Sequence, residues 1–467
     1  MFLYKDEGEN TSIGRFRSML KTNDIFFFDA IEFEEIINHY LSFGAFPLAK
    51  KAVKMGLSQH PASVDLKLLK VEILIMDRKI KEAESLLDEI HHLEPSNEDV
   101  FIQKAKLLSL QELHIQAIEV LKQALEVSSD EGEIYSLIGM EYLELDRFEE
   151  AKEYFIKTVE VDQDEEMLFY VIYCFGLLNQ KTQAIDYLNK LLDKRPYAEE
   201  AWYYLGKEYL EQQQYKQALT ALDFAIISDD SFVGAYFEKG KALEHLGRYE
   251  EALETYLLTT QLDDPTDFAY LRMGYCYEKM GKDALAIKFF LKAHEMDPLG
   301  QNALIAISDF YERNGKYHQA LHYMSVAVNN DDLNIRFWKR YARLNHALDY
   351  LEEAEWAYKM AIENGNLELD TWIKRGDILT QLGDFEAALK NFERASTYHR
   401  GKVELEFRLA GLYFSLSKGE KGAEHLEKAL KMDSSKLSIL HRHFPDILSR
   451  IELSPKLHDF LAACKQK

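Results

Sequence analysis

What this 467-residue chain has little of narrows its function first. It has three cysteines, Cys174, Cys276 and Cys464, too few and too scattered for a disulfide framework or a paired-cysteine zinc site. Cys174 and Cys276 are expected to be buried and inert. No stretch approaches the roughly 18 consecutive apolar residues of a membrane span, and Met1–Glu9 is charged, without the apolar core of a secretory signal. These absences predict a cytoplasmic protein without membrane insertion. Positive charge is also short, with 56 Lys and Arg against 80 Asp and Glu, a net of −24. Nucleic-acid binding draws most of its affinity from basic side chains on phosphates, so that role is disfavoured.

The motifs of catalysis are missing as well. There is no phosphate-binding glycine loop and no nucleophile elbow. His318 and His322 have a spacing that suits a metal, but no third ligand lies nearby. The pairs Asp229–Asp230, Asp263–Asp264 and Asp331–Asp332 each precede an expected helix, where acids cap free amides. No catalytic, cofactor-binding or metal residue is assigned, and the chain reads as non-enzymatic.

What is present is a period. Ala49, Ala83, Ala117, Ala151, Ala184, Ala218, Ala252, Ala286, Ala320, Ala354 and Ala388 recur every 34 residues, with one step of 33 from Ala151 to Ala184, and Gly422 takes the next slot. Such a period marks stacked structural repeats. With the alanine at position 20, units start at residues 30, 64, 98, 132, 165, 199, 233, 267, 301, 335, 369 and 403. Position 8 is small in Gly139, Gly206, Gly240, Gly274, Gly376 and Ser308. Position 24 is large in Phe155, Leu222, Tyr256, Phe290 and Phe392. Trp202, Trp338 and Trp372 fall at position 4. Gly44, Gly247, Gly281, Gly315 and Gly383 fall at position 15, where a helix end favours a left-handed residue. The apolar spacing on either side is helical, so each unit predicts helix, turn, helix.

This pattern resembles the tetratricopeptide repeat, W-x2-L-G-x2-Y, then A-x3-F, then P. Trp202–Leu205–Gly206–Tyr209 with Ala218 is a clear copy, and so is Tyr270–Gly274–Tyr277 with Ala286, Phe290, Ala293 and Pro298. Departures are Ile37 and Ile172 at position 8, Asn345 at position 11 and Glu406 at position 4. The resemblance implies an all-α fold, a right-handed α-solenoid superhelix of twelve helix-turn-helix units over residues 30–436. Residues 1–29 form an N-terminal extension. The run Ile25–Phe26–Phe27–Phe28 in it is expected either to cover the first unit or to dock in a groove, and Asp29 with Glu32 reads as a helix start. Residues 437–467 should form a capping helix pair, with one stripe of Leu437, Leu440, Phe444, Ile447, Leu448 and Ile451 and a second of Leu457, Phe460, Leu461 and Cys464. Neither flank is long enough for a catalytic domain of ordinary size.

In this family the first helices line a concave groove. Transferred unit by unit, that wall carries Phe169, Tyr173, Tyr203, Lys207, Phe237, Lys241, Phe268, Leu271 and Tyr275. Exposed aromatics there would anchor a peptide or helix, with most affinity expected from Tyr203, Phe237, Phe268 and Tyr275. A basic patch of Arg336, Lys339 and Arg343, with Arg340 beside it, would accept an acidic segment or pair with acids such as Asp309, Glu312 and Asp377. The carboxylate clamp of chaperone-binding members is not matched. Residues 130–166 hold fourteen acids against three bases, a solvated face or a landing site for a basic partner. The expected function is a scaffold that holds a segment of a protein partner, with no cofactor. Alternatives are a sensor closing on a small peptide or metabolite and a non-catalytic subunit of an enzyme complex. Dimerisation through the second helices is left open.

Overall fold

A computed structural model describes residues 11–22, 26–128, 130–162, 166–263, 265–445 and 447. Every regular element among them is helical. Helix α1 (Ser12–Thr22) comes first. Pairs follow as α2 (Ala30–Ser42) with α3 (Phe46–Gln59), α4 (Val64–Met76) with α5 (Ile80–Leu93), and α6 (Glu98–Leu110) with α7 (His114–Ala124). Next come α8 (Glu131–Glu144) with α9 (Phe148–Asp162), α10 (Leu168–Leu177) with α11 (Lys181–Lys194), and α12 (Glu199–Glu211) with α13 (Tyr215–Ser228). Then α14 (Val233–His245) precedes α15 (Tyr249–Leu262), α16 (Asp267–Lys279) precedes α17 (Asp283–Met296), and α18 (Gln301–Arg313) precedes α19 (Tyr317–Asn330). The last pairs are α20 (Ile335–Ala347) with α21 (Leu351–Glu363), α22 (Leu369–Gln381) with α23 (Phe385–Tyr398), and α24 (Val403–Ser415) with α25 (Gly419–Asp433). A 3₁₀ turn and the short α26 (Ser438–His443) end the series. The chain divides within α14 into two bodies, up to Glu238 and from Lys239 onward, and each is described by itself.

The two helices of a pair touch most closely where the repeat demands small residues. All eleven alanines at position 20 are fully buried. A Cβ on Gly139 would lie 2.7 Å from the Phe155 ring, and one on Gly206 would lie 2.6 Å from Leu222. Gly240 meets Tyr256, Gly274 meets Phe290 and Gly376 meets Phe392 in the same way. Position 8 of the first helix is therefore empty because position 24 of the second fills it. Ser308 at this position donates its hydroxyl to the Ala320 carbonyl at 3.1 Å, so even its polar group is used within the pair.

The turn between paired helices runs through a left-handed residue at position 15 throughout. Five are the expected glycines, with φ between 67° and 79°. Seven are not glycine: Arg78, Glu112, Asp146, Asn179, Gln213, Asp349 and Ser417, with φ from 55° to 61°. The next N–H returns to the carbonyl five residues back, as in Lys79 to Leu74 and Lys282 to Tyr277, both 2.9 Å. That bond satisfies a carbonyl left open at the helix end, which holds the geometry even where the side chain disfavours it.

The two polar departures from the pattern are accommodated locally. Asn345 is buried and donates to the Tyr341 carbonyl at 2.9 Å. The buried Glu406 meets His425 at 2.7 Å and also pairs with Lys428. Trp202 and Trp338 bond back to the carbonyls of Pro196 and Asp332, at 2.9 and 2.6 Å, latching each first helix to the loop before it.

Both flanks pack on the stack. Helix α1 was not expected from its polar sequence, yet Phe16 and Met19 are buried against Phe28, Phe33 and Tyr40. Arg15 pairs with Glu32 at 2.7 Å, and Asp29 and Glu32 form a capping box. In the aromatic run Phe28 is buried, Phe26 is half-buried and Phe27 is exposed, while Ile25 lies outside the described residues. At the other flank Leu440, Phe444 and Ile447 are buried with α24, the Phe444 ring lying on Gly411. Leu448, Ile451 and the whole stripe from Leu457 to Cys464 lie outside the described residues.

Three outcomes follow for stability. Gly281→Ala should lower stability by about 1–2 kcal/mol through its backbone alone, because a Cβ there meets nothing within 4 Å. Glu112→Gly should raise it by about 0.5–1 kcal/mol. Both are read as shifts in the midpoint of denaturant unfolding, and equal signs would refute the turn account. Gly274→Ala should cost about 1–3 kcal/mol by overpacking, partly recovered in Gly274→Ala/Phe290→Leu. No recovery would show that the Phe290 contact is not the cause.

Candidate partner-binding surfaces

Of the residues assigned to the wall, Phe169, Tyr173, Tyr203, Lys207 and Phe237 belong to the first body. Lys241, Phe268, Leu271, Tyr275, Arg336, Lys339 and Arg343 belong to the second. In the first body α10 presents Phe169 and Tyr173 one helical turn apart. Their rings stack at 6.0 Å with planes 11° apart, and they are 49% and 46% exposed. Two large aromatics left half in water on a rigid helix are an uncovered apolar surface.

On the neighbouring α12, Tyr203 is more enclosed. Its ring packs on Phe232 at 5.0 Å and edge-on to Tyr204 at 5.2 Å. Burial pushes the hydroxyls of Tyr203 and Tyr204 up to about 12. The Lys207 ammonium lies over both rings, at 5.1 and 5.5 Å, an arrangement that stabilises a cation against an aromatic face. Phe237 on α14 is half-buried.

Between α10 and α12 lies a cavity of about 270 Å³. Phe169, Tyr173 and Tyr204 form its apolar sides, and Gly176 leaves it open, since a Cβ there would meet nothing within 4 Å. Helix α10 has 10 residues where α12 has 13, and the single 33-residue step of the repeat falls just before it. Glu208 lines the cavity while only 8% exposed, and its Oε2 has no hydrogen-bond partner. Burial first, then Glu211, pushes its carboxyl up, while Lys181 and Lys207 pull it back in part. At the rim Lys181 pairs with Glu211 at 2.7 Å.

Sequence reasoning missed Glu208 because it sits at repeat position 10, one of the buried slots. Cys174 and Cys276 occupy that slot in other units and are fully buried, their thiols pushed up by burial to about 11 and about 12. A carboxylate in a slot that most units fill with apolar residues or cysteine was the available signal, although Glu141 shares it.

In the second body the assigned residues are largely engaged. Leu271 is 5% exposed and packs in the core with Phe290 and Ile307. Its assignment to the groove is corrected, because neighbouring helices close over it. Tyr275 is half-buried, edge-on to Phe290 at 5.1 Å. Phe268 is half-buried with the Lys241 ammonium over its ring at 5.5 Å.

The basic patch is drawn into ion pairs, two of them with the preceding unit. Arg343 meets Glu312 at 2.6 Å, Arg340 meets Asp309 and Lys339 meets Glu368. Arg336 is exposed and makes no ion pair among the described residues. Asp377, expected to answer this patch, instead holds the buried Arg408 through two bonds of 2.6 and 2.8 Å. Successive first helices are joined likewise by Arg272 with Glu244 and Arg313 with Glu278. The cations therefore form a ladder along the helices rather than an open site.

Among the described residues no helix is long and apolar enough to cross a membrane, and no group of three His, Cys, Asp or Glu side chains gathers as a metal would require. Comparison with known proteins places this architecture. Tetratricopeptide repeat models match residues 132–165, 166–196, 200–265, 269–298 and 373–436. No curated protein matches the sequence. Among solved structures, the Cut9–Hcn1 hetero-tetramer of the APC/C is 13% identical over 85% of this chain and 92% of that one, with a TM-score of 0.37. YrrB, a TPR protein with an unusual peptide-binding site, is 16% identical over 38% and 92%, at 0.31. The C-terminal part of a TPR repeat-containing protein from Cytophaga hutchinsonii is 13% identical over 56% and 99%, at 0.43. Repeats of this type typically serve as non-catalytic scaffolds for protein partners. The chain belongs to the tetratricopeptide repeat family.

Proposed function

We propose that the chain is a non-enzymatic scaffold whose first-helix wall in residues 168–237 holds an extended or helical segment of a partner protein. The observation that carries this reading is the stacked pair Phe169 and Tyr173, half exposed on α10. Exposing such rings is unfavourable by itself, and aromatics on a rigid support are what a binding segment covers with little loss of side-chain entropy. Tyr203 and Lys207 on α12 continue the surface. The paired cations of the second body take no part, since using them would break ion pairs already made.

The anchor pair can be removed without opening the core. Phe169→Ala/Tyr173→Ala should keep the helical content of the wild type and weaken partner binding by about 2 kcal/mol or more, roughly thirtyfold. Affinity capture from the native lysate with both baits identifies proteins that only the wild type recovers. Titration of such a partner then gives the ratio of affinities. Equal recovery and equal affinity would refute the wall as the binding surface.

A further inference from the structure

We infer that the cavity between α10 and α12 is the receptor for one arginine side chain of the bound segment, seated between the aromatic walls with its guanidinium on Glu208. The inference rests on the proposed wall and specifies which residue that wall selects.

Three observations converge on this site. Glu208 is nine-tenths buried, and its Oε2 has no partner while lining the cavity. A buried carboxylate oxygen without a donor is destabilising, and the nearby cations offset this only in part: Lys181 is held by Glu211 and Lys207 lies over Tyr203 and Tyr204, so neither donates to Oε2. A donor from outside would remove that penalty on binding. The cavity is lined by the aromatic side chains of Phe169, Tyr173 and Tyr204, and aromatic walls suit a planar, weakly hydrated guanidinium better than a compact ammonium. Access is built in, because Gly176 leaves open the space that a side chain would fill. The charge sense also agrees with a chain of net charge −24, which draws basic segments toward it.

The test uses the full chain and a phage-displayed library of random linear peptides. Peptides enriched on the wild type should share one arginine. By calorimetry, replacing that arginine with glutamine should weaken binding at least about tenfold. Glu208→Gln should weaken the parent peptide by a similar factor and leave the glutamine peptide nearly unchanged, since the two changes remove the same contact. Gly176→Leu, which fills the cavity without strain in the backbone, should abolish selection for arginine and serves if Glu208→Gln fails to fold. Without peptide, Glu208→Gln should melt at or above the wild-type temperature, because it removes an unpaired buried charge.

Enriched peptides without a common arginine, or with one indifferent to both Glu208→Gln and Gly176→Leu, would overturn this inference. If those peptides were still lost on Phe169→Ala/Tyr173→Ala, the wall itself would stand. Failure to enrich any peptide would overturn both.

Discussion

The structure depends on how closely two helices of one pair can approach. A glycine or alanine at position 8 admits the ring or branched chain at position 24, and the alanine at position 20 admits the first helix in return. Close approach multiplies weak dispersion contacts that a wider crossing would lose. It also orients the pair, so that the same face of every unit meets the next one. A helix pair of this size cannot bury its apolar face alone, and stability comes from repeating the interface. The period in the sequence is the record of this steric requirement.

Much of this was legible before any coordinates. The alanines, the position-15 glycines and the apolar spacing placed the helices and the turns, whereas the tryptophans marked a repeat position without revealing their bonds to the preceding loop. What stayed hidden had physical reasons. Helix α1 was obscured because it buries only Phe16 and Met19 amid polar residues, a face too narrow to stand out as periodic. Seven left-handed turn residues gave no glycine signal, since the returning backbone bonds impose the conformation on Arg78 or Glu112 as well. Side-chain preference yields where main-chain bonding decides.

The candidate surface was legible only as a set of positions. Position within a repeat says which way a residue points, but exposure depends on what the next unit places over it. Phe169 and Tyr173 stay open on the shortened α10, whereas Leu271 is closed over, though it shares position 5 with Phe169. Likewise Arg340 and Arg343 look like an open cationic patch when read along one helix. Their partners, Asp309 and Glu312, sit one unit earlier, 31 residues away. Charge patterns in a solenoid have to be read across the period as well as along the helix.

That cross-period pairing gives the second body a mechanical character. Its neighbouring first helices are tied by Arg272–Glu244, Arg313–Glu278, Arg340–Asp309, Arg343–Glu312 and Arg408–Asp377, while the apolar contacts lie deeper. Each exposed bond is weak, on the order of 0–1 kcal/mol, and is screened as salt rises. Together they act as lateral springs across the wall. The packed core sets the spacing of the helices, and salt loosens only this outer layer of ties.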